Sequence, residues 1–418
     1  MRKKGSALLS VLFAAALLFA ALPLRVSADG NSAPHLHTDA EGNVIEFAAW
    51  DDPTALPSDG GAWYLTEDVT LKRDWMPAAD TALCLNGHVI TTEDECCLWL
   101  EEVSLDLYDE EDSAVHCFAY HKGGAWTYAG ESAGEDAVEL GEFSLDSVSD
   151  GTLIAVHGGA ITGTGMFLNL LSDDRTEPQV KVDMFGGNIV GIRSEYAEPV
   201  GIVGDAAFTM YGGSIAGCFF PYGDILRNRS GSAALLGGTI TGNIASGAIV
   251  SSGAYTDIVI GGSASVHDNV AEKGAVYAGE TEVTLGGSAR IENNVTAGGE
   301  DRNVYLSGDH RIVLHSPGEG MRVGITVKET PAADSPVMFT EAASETDAGR
   351  FFSDSGYTVK FRPDESSADA LYLTAGSGVA SVFGSSDAGL MTMLTGVLAA
   401  GMAAAVIAAR KKNAAGTE

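Results

Sequence analysis

A glycine pair returns through the middle of the chain at a nearly constant step. Gly-Gly begins at 158, 186, 212, 237, 261 and 286, at intervals of 28, 26, 25, 24 and 25 residues. The surrounding phrases repeat as well: "VDMFGGNIVG" from Val182, "FTMYGGSIAG" from Phe208 and "AALLGGTITG" from Ala233. A period of this length marks stacked units, each too small to bury an apolar face alone. Val182 with Met184, and Phe208 with Met210, alternate with polar residues, as in a short strand with one buried face. Gly-Gly then permits the positive φ of a sharp corner, and Ile189, Ile215 or Ile240 begins the next strand pointing the same way. Asn243, Asn269 and Asn294 follow one another at steps of 26 and 25 residues and predict a buried ladder of side-chain amides at another corner. Two or three short strands per unit, with no room for a helix, describe one coil of a parallel β-helix. A β-sandwich with glycine-rich hairpins is the competing architecture, and a period held over six copies disfavours it. In "DIVIGGSASV" and "EVTLGGSARI" the alternation moves one place toward the glycines, and Ala264 or Ala289 replaces the Ile after the corner. A change of corner geometry is expected there.

The two ends of the chain predict its placement. "MRKK", an apolar run from Ala7 to Leu22 and the small residues Val26-Ser27-Ala28 have the pattern of a signal peptide over 1–28. Residues 389–409 carry no charge over 21 positions, enough as a helix to span a bilayer core, and Arg410, Lys411 and Lys412 follow at once. The expected topology is single-pass type I in the cell membrane, with the ectodomain outside and 410–418 as a cytoplasmic tail. All five tryptophans (Trp50, Trp63, Trp75, Trp99, Trp126) precede residue 130. The expected order is therefore a Trp-rich N-terminal cap with the first coils over 29–150, glycine-rich repeats over 151–326, a C-terminal cap over 327–373 and a flexible linker over 374–388.

Charge narrows the partners. The chain has 24 basic and 57 acidic residues, and the first 28 residues carry four of the basic ones and no acid, so without them the net charge is −37. Such a surface repels phosphate backbones, which excludes nucleic acid as a partner and leaves cations or cationic partners compatible. Five cysteines, an odd number, do not make a disulfide framework; one local bridge among the four between 84 and 117 is expected, with Cys218 as a small buried apolar residue.

Several phrases resemble a known family. "GAWYLTEDVTL" from Gly61, "LCLNGHVI" from Leu83, "LDLYD" from Leu105 and the "MYGGSI" repeats are followed by "DRNVYLSGDHRIVL" from Asp301, "VGITV" from Val323 and "GRFFSDSGYTVKF" from Gly349. In this order they are similar to a family of exported glycine-rich, adhesin-like surface proteins of Gram-positive anaerobes, over roughly residues 47–375. The resemblance implies an all-β, right-handed parallel β-helix of pectin-lyase-like shape. Many relatives end in a sortase pentapeptide; "TAGSGVASVFGSSDAG" has no Leu-Pro-x-Thr-Gly, so the membrane helix is the expected anchor.

Chemistry must be argued from sites, since this fold serves enzymes and passive stalks alike. A polysaccharide-cleaving site needs clustered carboxylates, or a carboxylate-held cation with a basic partner. Asp173, Asp174, Arg175, Arg193, Glu195 and His157 are candidates, but they are scattered singly along the sequence. His35 and His37 can hold a metal only with a third ligand that the sequence does not identify. His88 is expected to cap backbone carbonyls at a turn, and the acidic run from Asp109 to Ser113 lacks EF-hand spacing. No catalytic, cofactor-binding or metal-binding residue is therefore assigned, and no cofactor. The expected function is an adhesin-like binding or display role toward glycans or host and cell surfaces. A polysaccharide-active lyase or hydrolase and a purely structural spacer are the alternatives.

Overall fold

The computed structural model describes residues 34–375, apart from 94, 111–113, 122–124, 132–136, 143, 166–167, 172–179, 195–197, 254–255, 280, 309 and 363–368. The expected signal peptide, membrane helix and cytoplasmic tail, with nearly all of the linker, lie outside these residues. Among the described residues no helix is long and apolar enough to cross a membrane.

The described chain is all-β and dominated by two long sheets of parallel strands, an arrangement compatible with a β-helix. The strands that precede the Gly-Gly corners form one column: Lys181–Met184, Ala207–Met210, Ser232–Leu235, Asp257–Ile260 and Val283–Gly287 pair in parallel, each with the next. A second column carries Asn188–Val190, Ser214–Ala216, Thr239–Thr241, Ser265–His267 and Arg290–Glu292. A third runs through Val200–Val203, Leu226–Asn228, Val250–Ser252, Val276–Ala278 and Val304–Leu306. The register follows the repeat: Val182 faces Phe208, Phe208 faces Ala233, and Ile189 lines up with Ile215 and Ile240. These side chains point inward as expected; Met184, Met210 and Ile215 are completely buried. Burying one such side chain stabilises the fold by about 1.5–3 kcal/mol, so a continuous apolar column is the main source of stability.

The second glycine of each pair makes the corner. Gly213 has φ +75°, and a Cβ there would lie 2.2 Å from the carbonyl oxygen of Gly187 in the unit before. The predicted change in the later corners is present. Ile215 follows Met210 by five residues and Val266 follows Ile260 by six, while φ at the second glycine falls from +75° at Gly238 to +55° at Gly262 and Gly287. The extra residue is Ala264 or Ala289, small enough to turn inward and be buried.

The asparagine ladder is also present. Asn243 Nδ2 donates to Asn269 Oδ1 at 2.9 Å, and Asn269 Nδ2 donates to Asn294 Oδ1 at 2.8 Å. It runs further than the repeat predicts: Asn294 donates to Asn303 Oδ1 and Asn303 to Asp354 Oδ1, while at the other end Cys218 N donates to Asn243 Oδ1.

Two features interrupt the regular stack. Val182 pairs with Leu105, and within the chain between them residues 115–157 form a four-stranded sheet in which Ala125–Glu131, Val115–His121 and Leu153–His157 are antiparallel and Val138–Glu139 is added in parallel. At the start, the hairpin of His35–Thr38 and Val44–Trp50 pairs with Gly61–Leu65 only through Ala48–Trp50, so its outer half folds over the side of the first column. There Phe47 packs on Cys84 and Tyr108. All five cysteines are buried thiols, so the expected local bridge is not made. Cys84 pairs in register with Tyr108 inside the sheet, where its side chain packs against rings rather than against another sulfur.

Candidate functional site

The antiparallel sheet has its own core of Phe118, Trp126, Ile154 and Val156, packed on Val89, Ala160 and Val190 of the stack. Its short strand Val138–Glu139 pairs in parallel with Ile154 and Ala155, which brings Glu139 beside His157. Glu139 Oε2 and His157 Nε2 are 2.8 Å apart, and both side chains are half-exposed. The pair overhangs a cleft of about 340 Å³ whose floor is made by Gly-Gly corners of successive units: Gly187, Gly212, Gly213 and Gly238, with Asn188, Ser214 and Thr239 beside them. The cleft is open because glycine adds no side chain there, and the corners need glycine for their own backbone reasons.

The polar groups of the floor are ordered by the repeat. Asn188, Ser214 and Thr239 occupy one register position on consecutive units. Asn188 Nδ2 donates to the carbonyls of His157 at 2.7 Å and Gly159 at 3.0 Å, and Ser214 Oγ donates to Asn188 Oδ1 at 2.7 Å. Asp109 fixes the adjoining turn, accepting from the N–H of Gly87 at 2.9 Å and of Gly159 at 2.6 Å. It therefore acts as a backbone cap. Among the residues lining the cleft Glu139 is the one carboxylate, whereas cleavage of a glycosidic bond by paired acids needs two. The arrangement can hold a hydroxyl-rich ligand through Glu139, His157, Thr239 and exposed backbone.

The other candidates separate. Asp173, Asp174, Arg175 and Glu195 lie outside the described residues, as do residues 111–113 of the acidic run. Arg193 lies over the ring of Phe219, 5.6 Å from its centre, and not in the cleft. His88 Nδ1 lies 3.4 Å from Asp68 Oδ1, so a carboxylate takes the place of the expected backbone carbonyl. Asp68 can do this because its Oδ1 already accepts from the N–H of Val89.

Two groupings are completed only by the fold. Glu198, buried, accepts from Arg229 Nη2 at 2.6 and 2.9 Å and from Arg227 at 3.2 Å. Burial pushes its carboxyl up, but the Arg229 hydrogen bonds and the two cationic charges outweigh this and leave it below its ordinary value. The second is the meeting of His35, His37 and Cys84, whose Nδ1/Nε2 and Sγ ligand atoms lie within 4.8 Å of one another. The sequence marked His35 and His37 as a metal-capable pair without a third ligand, and Cys84 reaches them through the folding-over of the first hairpin.

Comparison with protein-family models, curated proteins and solved structures gives no match.

Proposed function

We propose that the protein is a membrane-anchored bacterial cell-surface protein, a right-handed parallel β-helix of pectin-lyase-like shape, that binds linear glycans along its Gly-Gly corners. The observation that supports this reading is the cleft beneath Glu139 and His157, where Asn188, Ser214 and Thr239 recur one per unit. Parallel strands advance by about 4.8 Å, so open Gly-Gly corners repeated at that step, braced from beneath by the buried Asn188 and Ser214, suit a ligand that is itself extended and repetitive. Concave sites with a few placed polar groups are the usual form of a small-ligand site. The family resemblance adds surface display, and the span at 389–409 supplies the anchor.

The full chain, purified in detergent and applied to a glycan array, should bind an acidic or neutral polysaccharide class. His157→Ala and Thr239→Val should each weaken that binding roughly tenfold, as loss of a ligand hydrogen bond in a partly desolvated cleft does. Binding unchanged in both variants would remove the cleft from the proposal, and an empty array would leave the spacer reading. Glu139 beside His157 is an acid–base pair, so the same preparation should be incubated with polyuronates. New unsaturated or reducing ends, lost in Glu139→Gln, would replace binding with cleavage.

A further inference from the structure

The first hairpin carries His35 and His37 to the buried thiol of Cys84, although 47 residues separate Cys84 from His37 in the chain. His35 Nε2 and His37 Nε2 are 3.0 Å apart. Two nitrogen ligands on one tetrahedral ion with bonds of about 2.0–2.1 Å stand about 3.3–3.4 Å apart, so an opening of the pair by a few tenths of an ångström would seat the ion. Both rings are held from the sides. His35 stacks on Tyr64 with centres 4.4 Å apart, His37 stacks on Tyr108 at 4.8 Å, and Phe47 stands edge-on to both. On the far side of the His35 ring, Nδ1 faces Glu110 Oε1 at 3.8 Å. This is an ion-pair distance, longer than a hydrogen bond, and closing it would give the carboxylate partner that orients metal-ligating histidines and leaves Nε2 for the metal.

We propose that His35 Nε2, His37 Nε2 and Cys84 Sγ form a binding site for a borderline-soft divalent cation of the zinc class, with Glu110 as the positioning residue behind His35. Two imidazoles and a thiolate are the donor set such ions prefer, and three protein ligands leave a fourth position for water. The local field favours a cation, since the Glu110 carboxylate stands beside the His35 ring. On binding, the Cys84 S–H bond breaks, its proton leaves to solvent, and the sulfur electron pair goes to the metal. The ion would pin the hairpin to the side of the stack and cover the Tyr64, Cys84 and Tyr108 face.

The test uses Co²⁺ as a spectroscopic probe and Zn²⁺ as competitor on the full chain, purified in detergent after chelator treatment. One Co²⁺ per chain should bind with a sulfur-to-cobalt charge-transfer band, and Zn²⁺ should displace it. Cys84→Ser should abolish the band. Glu110→Gln, a change at a half-exposed side chain, should weaken Co²⁺ binding by about 10–100-fold without altering the circular dichroism of the metal-free chain. Zn²⁺ should also raise the unfolding midpoint of the wild-type chain and not of His37→Gln. Absence of the band, a band retained in Cys84→Ser, or equal affinity in Glu110→Gln would each overturn the assignment, leaving His35 and His37 as an imidazole–imidazole hydrogen bond.

Discussion

Two kinds of residue hold the regular stack in register, and each does so for a local reason. At the Gly-Gly corner the constraint is steric, since neither the positive φ nor the contact with the preceding carbonyl admits a side chain. At the next corner, just before the ladder, the constraint is conformational throughout and steric as well at Gly191 and Gly217, where a Cβ would meet Trp126. Gly191, Gly217, Gly242, Asp268 and Asn293 all have φ between +52° and +67°, and the last two show that short polar side chains are accepted there. The ladder itself is a chain of buried amides in which each rung satisfies the next. Asn269 Oδ1 accepts from both the N–H and the Nδ2 of Asn243, and Asn269 Nδ2 also donates to the carbonyls of Ile240 and His267. Asn269→Ala would leave several of these groups buried without partners. A loss of about 3–5 kcal/mol is expected in urea unfolding, because each orphaned buried group costs about 1–3 kcal/mol. The exposed Glu300→Ala should stay within about 0.5 kcal/mol in the same assay. A loss below about 1 kcal/mol for Asn269→Ala would show that water replaces the rung at little cost.

At the scale of elements, the stack has three kinds of neighbour. Along the outside of the first column Tyr108, Phe185 and Tyr211 form a row, with successive ring centres 4.7 and 5.0 Å apart and nearly parallel planes. The antiparallel sheet over Val115–His157 covers the side at the Gly-Gly corners and creates the cleft. The far end is covered by a three-stranded antiparallel sheet of Val337–Met338, Ala370–Thr374 and Thr358–Arg362. Phe339, fully buried, meets Phe351 edge to face at 5.3 Å, and Leu371 and Leu373 are buried with them. Without this segment, the last parallel strands would present an open edge and an apolar cross-section, the condition for chain-to-chain pairing. A chain lacking 327–373 should therefore sediment as large aggregates. A monodisperse, fully folded species would show that the stack closes itself and that the segment is an appendage.

Across the whole molecule the excess of acid is not spread evenly. Asp106 and Asp183 face each other in register on adjacent strands, and the turn of the first hairpin brings Asp39 and Glu41 near them. Burial, then the charges of Asp183, Asp39, Glu41 and Asp80, push the Asp106 carboxyl up to about 7. Asp183 is also raised, by burial first, against a hydrogen bond from Thr209 and the charge of Lys181. Because the folded state binds the Asp106 proton more tightly than the unfolded chain, its contribution to stability is complete below the unfolded pKa of about 4. That contribution is lost as pH rises through about 7. Unfolding midpoints in metal-free buffer should fall over this window. Asp106→Asn should flatten the fall and stabilise the protein at pH near 8 by about 1 kcal/mol, allowing for solvent screening at a partly buried site. An unchanged slope in the variant would mean that the carboxylates relax apart or hydrate instead.

What could be read along the chain is what repeats along it. The inward side chains, the glycine corners, the altered corners at Ala264 and Ala289 and the rungs Asn243, Asn269 and Asn294 all follow from a period of about 25 residues, since in a stack of like units sequence distance and spatial distance are locked together. The floor of the cleft shares this period through Asn188, Ser214 and Thr239, but the residues that complete the sites do not. Asn303 and Asp354 continue the ladder out of period, Glu139 reaches His157 through a sheet inserted between two repeats, and Cys84 meets His35 and His37 because one hairpin folds across a face. These meetings join segments with no shared pattern, so they were set by how the elements pack around the apolar column and not by any spacing within the chain.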